Sequence, residues 1–379
     1  MFFDSHERGL SVKNNPFAIL VLSLLIFYAN MAHAKLRSIA VLGDGINTGM
    51  GAAETFSLDS DEFLESMLNP NTAASNQPRS MSRPIIVPND VRELQNPIGW
   101  VVTNFITVAS NLYLNSPENS WVSFVGKKLS INPDRIYAAA RNMEGSEDAI
   151  LQANRLLAHT GGLLPDLVIL FFSRGDVCGL FPKPATLPED YGNGIYSALR
   201  YLFKNSKSDQ TRGAVLLGSG LNLIQNVKED RILSKTTERY GESVSCGSMR
   251  DSSYKIPRQY QAKSEAAVAY SDFLPPNPKI WCPALYDKNR AKPEALVSLA
   301  TKMKAYRNEL QNVQKKLQKE LLKGEYPGFE SWQIVLTKSS SDLEFHADDI
   351  AKDCFNLSPK GHKRLGDEIF KDFVSKIKL

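Results

Sequence analysis

The chain has 379 residues, 42% of them hydrophobic and 23% charged, which is ordinary globular composition and excludes a fibrous or disordered chain. A net charge of +4 with scattered basic residues gives no electrostatic case for nucleic acid. The length allows two domains or one α/β domain with long loops.

The first segment reads as an export signal. Arg8 and Lys13 precede an apolar run from Phe17 to Tyr28, and Ala32-His33-Ala34 follows with small residues at a cleavage position. The run is short for a membrane span. Residues 1–34 are therefore expected to be a signal peptide cleaved after Ala34, and residues 35–379 the mature domain, secreted or held in the cell envelope. An uncleaved anchor is the competing reading and the only membrane contact expected.

Five apolar runs follow at intervals: Ser38 to Leu42, Arg135 to Ala140, Leu167 to Phe172, Ala214 to Gly218 and Trp332 to Leu336. Continuous apolar runs suit strands covered on both faces, so the expected fold is α/β, a doubly wound parallel sheet flanked by helices in three layers. Each run ends in loop-forming residues at the carboxyl edge, where open α/β sheets bind ligands. Long loops are expected near 53–100 and 241–292, with Asn69 to Arg83 and Gly241 to Pro257 the most polar parts.

Glu294 to Lys323 is the clearest helix. Leu296, Leu299, Met303, Tyr306, Leu310, Val313, Leu317 and Leu321 make one apolar stripe, with Pro293 in the first turn and Gly324 as a stop. Its lysines at 315, 316, 319 and 323 read as a solvated face. The last helix starts at Ser358-Pro359 and buries Leu365, Ile369, Phe373 and Ile377.

Four cysteines, Cys178, Cys246, Cys282 and Cys354, allow three disulfide connectivities, and export permits them to form. Pairing in chain order is expected, Cys178 with Cys246 and Cys282 with Cys354. None has the spacing of a zinc site, and no metal or cofactor is expected.

Three blocks carry a resemblance. The first strand runs into Leu42-Gly43-Asp44-Gly45-Ile46-Asn47-Thr48-Gly49. The third block is Ser173-Arg174-Gly175-Asp176-Val177-Cys178. The last is Asp353-Cys354-Phe355-Asn356-Leu357-Ser358-Pro359-Lys360-Gly361-His362. In order and spacing, with Cys282-Pro283 and Tyr306-Arg307-Asn308 between them, they resemble the SGNH or GDSL hydrolases, and among those the phospholipase B-like lipases. The resemblance implies ester hydrolysis by a serine after Gly-Asp, an Asp-x-x-His pair, and Gly and Asn donors to an oxyanion.

This chain departs from that pattern at each of these positions. Gly45 stands where the serine is expected and Asn356 where the histidine is, although Asp353 is kept. Gly175 replaces the third-block Asn. In the second block, aligned on Ser146-Glu147-Asp148, Ala138 and Met143 stand where Asn and Gly are usual. Glycine has no nucleophile, and an amide does not accept a proton near neutral pH. Nucleophile, base and oxyanion donors work as a unit, so their joint loss implies a hydrolase-like protein without hydrolysis. It is expected to bind an unidentified ligand or partner protein at the carboxyl edge.

Other groups have two readings each. Asp44, Asp176 and Asp353 could approach a cation, or could hold loop backbone, the plainer use of short acidic side chains. Arg141 and Arg174 could receive a carboxylate or phosphate, or could pair with the retained aspartates. An active esterase rebuilt from Ser173 or Ser219 with His346 or His362 is the alternative, and a structural envelope protein is a third. Ser219 lacks a full nucleophile elbow, Ser358 reads as a cap, and His362 reads as a first-turn helix histidine.

Overall fold

A computed structural model describes residues 36–49, 52, 117–141, 144–178, 184–207, 212–239, 242–250, 282–286 and 292–377. Residues 1–34, expected to be a signal peptide, together with Met143 and most of the loops at 53–100 and 251–292, lie outside the described residues. Leu36–Ile377 forms one unit by its internal contacts.

Its centre is a parallel sheet of five strands, β1 Ile39–Gly43, β2 Ile136–Ala138, β3 Leu167–Phe171, β4 Ala214–Gly218 and β7 Gln333–Thr337, in the order β2-β1-β3-β4-β7. Every residue of β1, β3 and β4 is buried, which is why these runs are apolar without alternation. All four pairings are parallel and in register, for example Ile39 with Leu167 and Leu167 with Ala214. A two-stranded antiparallel hairpin, β5 Thr236–Arg239 and β6 Glu242–Ser245, lies apart from that sheet. The segment from Gly241 to Pro257 was expected to be loop. Instead, Glu242–Ser245 pairs with β5, and a short helix follows at Cys246–Arg250. These strands are polar and only partly covered, so they leave no apolar signature.

Helices cover both faces. On one side α1 Trp121–Lys128 packs against the last helix, Pro359–Lys376. A Cβ at Gly366 would stand 2.9 Å from the Trp121 carbonyl oxygen, so the close crossing of these helices uses the bare backbone there. On the other side lie α2 Ala149–Thr160, α4 Pro188–Asn205 and the long helix Pro293–Leu322. The intervening helix α3, Arg174–Cys178, turns off the end of β3. Numbering continues as α5 Cys246–Arg250, α6 Pro283–Tyr286, α7 Pro293–Leu322 and α8 Pro359–Lys376.

The apolar stripe of α7 is buried at Leu296, Leu299, Tyr306, Leu310, Val313, Leu317 and Leu321, while Met303 is half-buried. Gly324 follows with φ 73, a conformation glycine adopts without steric penalty. At the start of α8 the Ser358 side chain accepts the Gly361 N–H.

The disulfides correct the expected pairing. Cys178 joins Cys282 with Cα atoms 4.2 Å apart, and Cys246 joins Cys354 with Cα atoms 5.3 Å apart. The cause is where the chain returns in space. Cys178 closes α3, which packs against α6 directly after Cys282. Cys246 and Cys354 share a buried cluster with Val244 and Met249. Separations of 104 and 108 residues give no hint of either meeting.

Candidate functional site

The strand order reverses at β1 and β3, which are neighbours with crossovers leaving in opposite directions. Such a switch point opens a crevice at the carboxyl ends of the strands. Here Asp44-Gly45 follow β1 and Ser173-Arg174-Gly175-Asp176 follow β3, and Asp44, Ser173, Arg174 and Asp176 are all buried.

Asp44 is fully buried and organises both loops. Its Oδ1 accepts the Ile46 N–H at 3.2 Å, and its Oδ2 accepts the Ser173 and Arg174 N–H groups at 2.9 and 2.5 Å. Burial pushes its carboxyl up from the ordinary value, while the Arg174 charge and these amides pull against that. Asn47, one turn on, donates to the carbonyls of Asp44 and Phe171 at 3.1 and 2.7 Å, and its Oδ1 accepts the Trp121 indole N–H at 3.2 Å. Gly43 has φ 147, and a Cβ there would lie 2.0 Å from the Phe171 carbonyl oxygen. Both Gly43 backbone groups are taken by the Gln152 amide, at 2.7 and 2.9 Å.

Arg174 points inward and is 3% exposed. One guanidinium nitrogen donates to Asn356 Oδ1 and another to the Phe355 carbonyl at 3.2 Å. Its plane lies over the Phe355 ring, 4.5 Å from the centroid. Burial lowers its affinity for the proton, and the charges of Asp44 and Asp353 oppose that. Asn356 in turn donates its amide to Asp353 Oδ2. Asp353 Oδ1 accepts the N–H groups of Phe355 and Asn356 at 2.9 and 2.8 Å, which closes a tight turn. The arrangement is a buried relay, Arg174 to Asn356 to Asp353, in which both terminal guanidinium nitrogens are engaged and Arg174 Nε is left without an acceptor.

Asp176 lies two residues beyond Arg174 in the same short helix. Its carboxylate accepts the Ser146 N–H at 3.0 and 3.1 Å and the Ser146 hydroxyl at 2.6 Å. Desolvation by burial raises its pKa to about 7, hydrogen bonds from Ser146 and Thr186 oppose this, and the Asp44 charge adds to it. The folded protein therefore holds a proton there that the unfolded chain releases above its ordinary value of 3.8. Stability contributed by this group falls as pH rises from 3.8 to about 7, by on the order of 4 kcal/mol. Asp176→Asn is expected to flatten that part of the pH–stability curve and to exceed the parent protein in stability at pH 8. Urea midpoints from pH 4 to 8 check it, and an unchanged slope would contradict it.

Gly175 stands in a closed spot. A Cβ on it would lie 2.1 Å from the Glu144 carbonyl oxygen and 2.6 Å from its carbon. Glu144 is anchored there by Gln152 at 2.7 Å and Arg155 at 3.0 Å. Sequence reasoning overlooked Glu144, Gln152 and Phe355 as site residues, because none has a reactive side chain in a recognisable pattern.

The remaining candidates are dispersed. The Ser173 hydroxyl accepts the Leu221 N–H at 3.0 Å. The Ser219 hydroxyl donates to the Thr337 carbonyl at 2.9 Å, and Ser340 donates to the Ser219 carbonyl. His362 is fully buried at the α8–α1 contact, where its Nδ1 accepts the Trp121 N–H at 3.4 Å. His346 is exposed, and its backbone N–H donates to Asp349 at 2.8 Å. Arg141 lies half-buried, 4.0 Å from Glu144. Its N–H donates to the Gly43 carbonyl at 3.0 Å.

No protein-family model matches this chain, and no curated protein matches it. Among solved structures it is similar to the lipase/acylhydrolase from Enterococcus faecalis, over 90% of this chain and 98% of that one, at 10% identity and a TM-score of 0.37.

Proposed function

We propose that this chain is an exported relative of the SGNH hydrolases that retains the scaffold, does not hydrolyse esters, and acts through a ligand or partner protein at the carboxyl edge of its sheet. The observation that carries the reading is the Arg174–Asn356 contact. A guanidinium from the third block is hydrogen-bonded to the residue that stands at the position of the family's histidine. A base there has to meet a serine hydroxyl. This residue meets a buried cation instead, which is hostile to proton abstraction.

Gly45 agrees with that reading, since it offers no hydroxyl. The rebuilt-esterase alternative finds less support, because Ser173 and Ser219 are committed to backbone groups and His362 accepts a backbone N–H. Export is supported by the N-terminal pattern and by two disulfides, which suit an oxidising compartment. No helix among the described residues is long and apolar enough to cross a membrane.

The test is a serine-directed phosphonate, read by intact mass and peptide mapping beside a labelled active lipase. No adduct is expected. A stoichiometric adduct on Ser173, Ser219 or any other serine would replace this proposal with an active hydrolase.

A further inference from the structure

The turn that carries Asn356 is held in a conformation its residues do not favour. Cys354 has φ 60, in the left-handed region where a Cβ is crowded. Both ends of the turn are pinned. Ile350 bridges Leu357, and the Ala351 N–H donates to the Asn356 carbonyl at 2.8 Å. Upstream, the Lys235 ammonium donates to the carbonyls of Ala347 and Ile350. Between these pins one covalent tie reaches the turn, the disulfide from Cys354 to Cys246. The next two residues, Phe355 and Asn356, supply the acceptors that hold the Arg174 guanidinium.

We propose that the Cys246–Cys354 disulfide is a redox latch that keeps Arg174 in its buried position. A dithiol is the partner reagent. One thiolate attacks a cystine sulfur, and the second thiol resolves the mixed disulfide. The dithiol becomes a disulfide, and its two electrons and two protons reduce Cys246 and Cys354 to thiols. Both sulfurs are buried, so access runs through opening of the β5–β6 hairpin. A two-stranded ribbon is the least self-sufficient part of such a fold.

Without the tie the turn visits an open state more often, and there Cys354 leaves the left-handed region and takes the Phe355 carbonyl and Asn356 with it. In that open state the guanidinium has lost both acceptors and turns to solvent. Besides the bonds within the turn from Asp353 and Ala351, two contacts from outside it oppose the opening. Asn226 donates to the Phe355 carbonyl at 3.2 Å and Tyr286 to the Cys354 carbonyl at 3.3 Å. Each is a neutral bond that water replaces when the turn opens. The pins at Lys235 and at Ile350–Leu357 confine the change to residues 351–356. The latch rests on this geometry and not on the proposed absence of hydrolysis.

The experiment is hydrogen exchange on the full chain before and after dithiothreitol, with peptide mass recording which disulfide is open. Amides of 351–356 and of 173–176 are expected to exchange at least about tenfold faster once Cys246 and Cys354 are thiols, while β1, β3 and β4 keep their protection. Unchanged protection in the reduced turn overturns the latch, and so does global unfolding on reduction, which marks a purely structural bond. A second comparison isolates the strained residue. Cys246→Ser with Cys354→Gly removes the tie but leaves the left-handed conformation free of penalty, whereas Cys246→Ser with Cys354→Ala does not. The alanine pair is expected to exchange faster at 351–356 than the glycine pair. Equal exchange in the two, or failure of both to fold, overturns the proposal.

Discussion

Arg174→Ala is expected to lower the unfolding free energy by about 3–5 kcal/mol, the range seen when one partner of a buried charge network is removed. The loss has three parts. The carboxylates of Asp44 and Asp353 remain buried without the cation that faces them. The Phe355 carbonyl and Asn356 Oδ1 lose their guanidinium donors. The Phe355 ring loses the plane that covers it at 4.5 Å. Arg174→Lys keeps the charge but offers a point cation in place of a planar fork, so it falls between the two. Arg141→Ala serves as the comparison, since its ion pair is half-exposed and long at 4.0 Å, and it is expected to cost less than about 1 kcal/mol. Urea denaturation at pH 7 measures all three. A loss under 1 kcal/mol for Arg174→Ala would mean that the guanidinium is not integral to this relay.

Gly175→Ala is the second large effect, expected at about 3 kcal/mol of destabilisation. The new methyl group meets backbone atoms, the Glu144 carbonyl oxygen at 2.1 Å and the Gly145 Cα at 2.9 Å. Backbone cannot rotate aside as a side chain can. The 144–145 segment is also held by Gln152, Arg155 and the bond from Gly145 N–H to Asp148 at 3.2 Å. Gly161→Ala separates crowding from conformational strain. That glycine has φ 65 with nothing within 4 Å of its added Cβ, so the cost there is only about 1 kcal/mol of backbone strain. A Gly175→Ala variant no worse than Gly161→Ala would show that the 144–145 loop yields easily. The same geometry bears on restoring an oxyanion donor. An asparagine at 175 has no room for its first carbon, so on the proposed reading Gly45→Ser with Asn356→His restores a serine and a histidine but no amide donor there.

The amino-acid sequence by itself determined the parallel sheet, because strands covered on both faces must be apolar throughout, and IAVLG, LVILF and AVLLG are. It determined the α7 stripe and the Ser358 cap for the same kind of reason, since helix periodicity and capping act over a few residues. It also singled out Gly45, Gly175 and Asn356, because the resemblance on which they are read is written locally in the chain. Tertiary structure alone decided the rest. The β5–β6 hairpin was invisible because polar strands outside the main core carry no periodic signal. The disulfide partners depended on which loops meet at the carboxyl edge, a distance that separation along the chain does not encode. Arg174 could have faced solvent as an anion receptor. It turned inward because Phe355, Asn356 and Asp353, some 180 residues later, supply acceptors and charge that a buried guanidinium requires. Gly175 reads as a lost asparagine in the sequence, and only the Glu144 carbonyl against it shows that the space itself is filled.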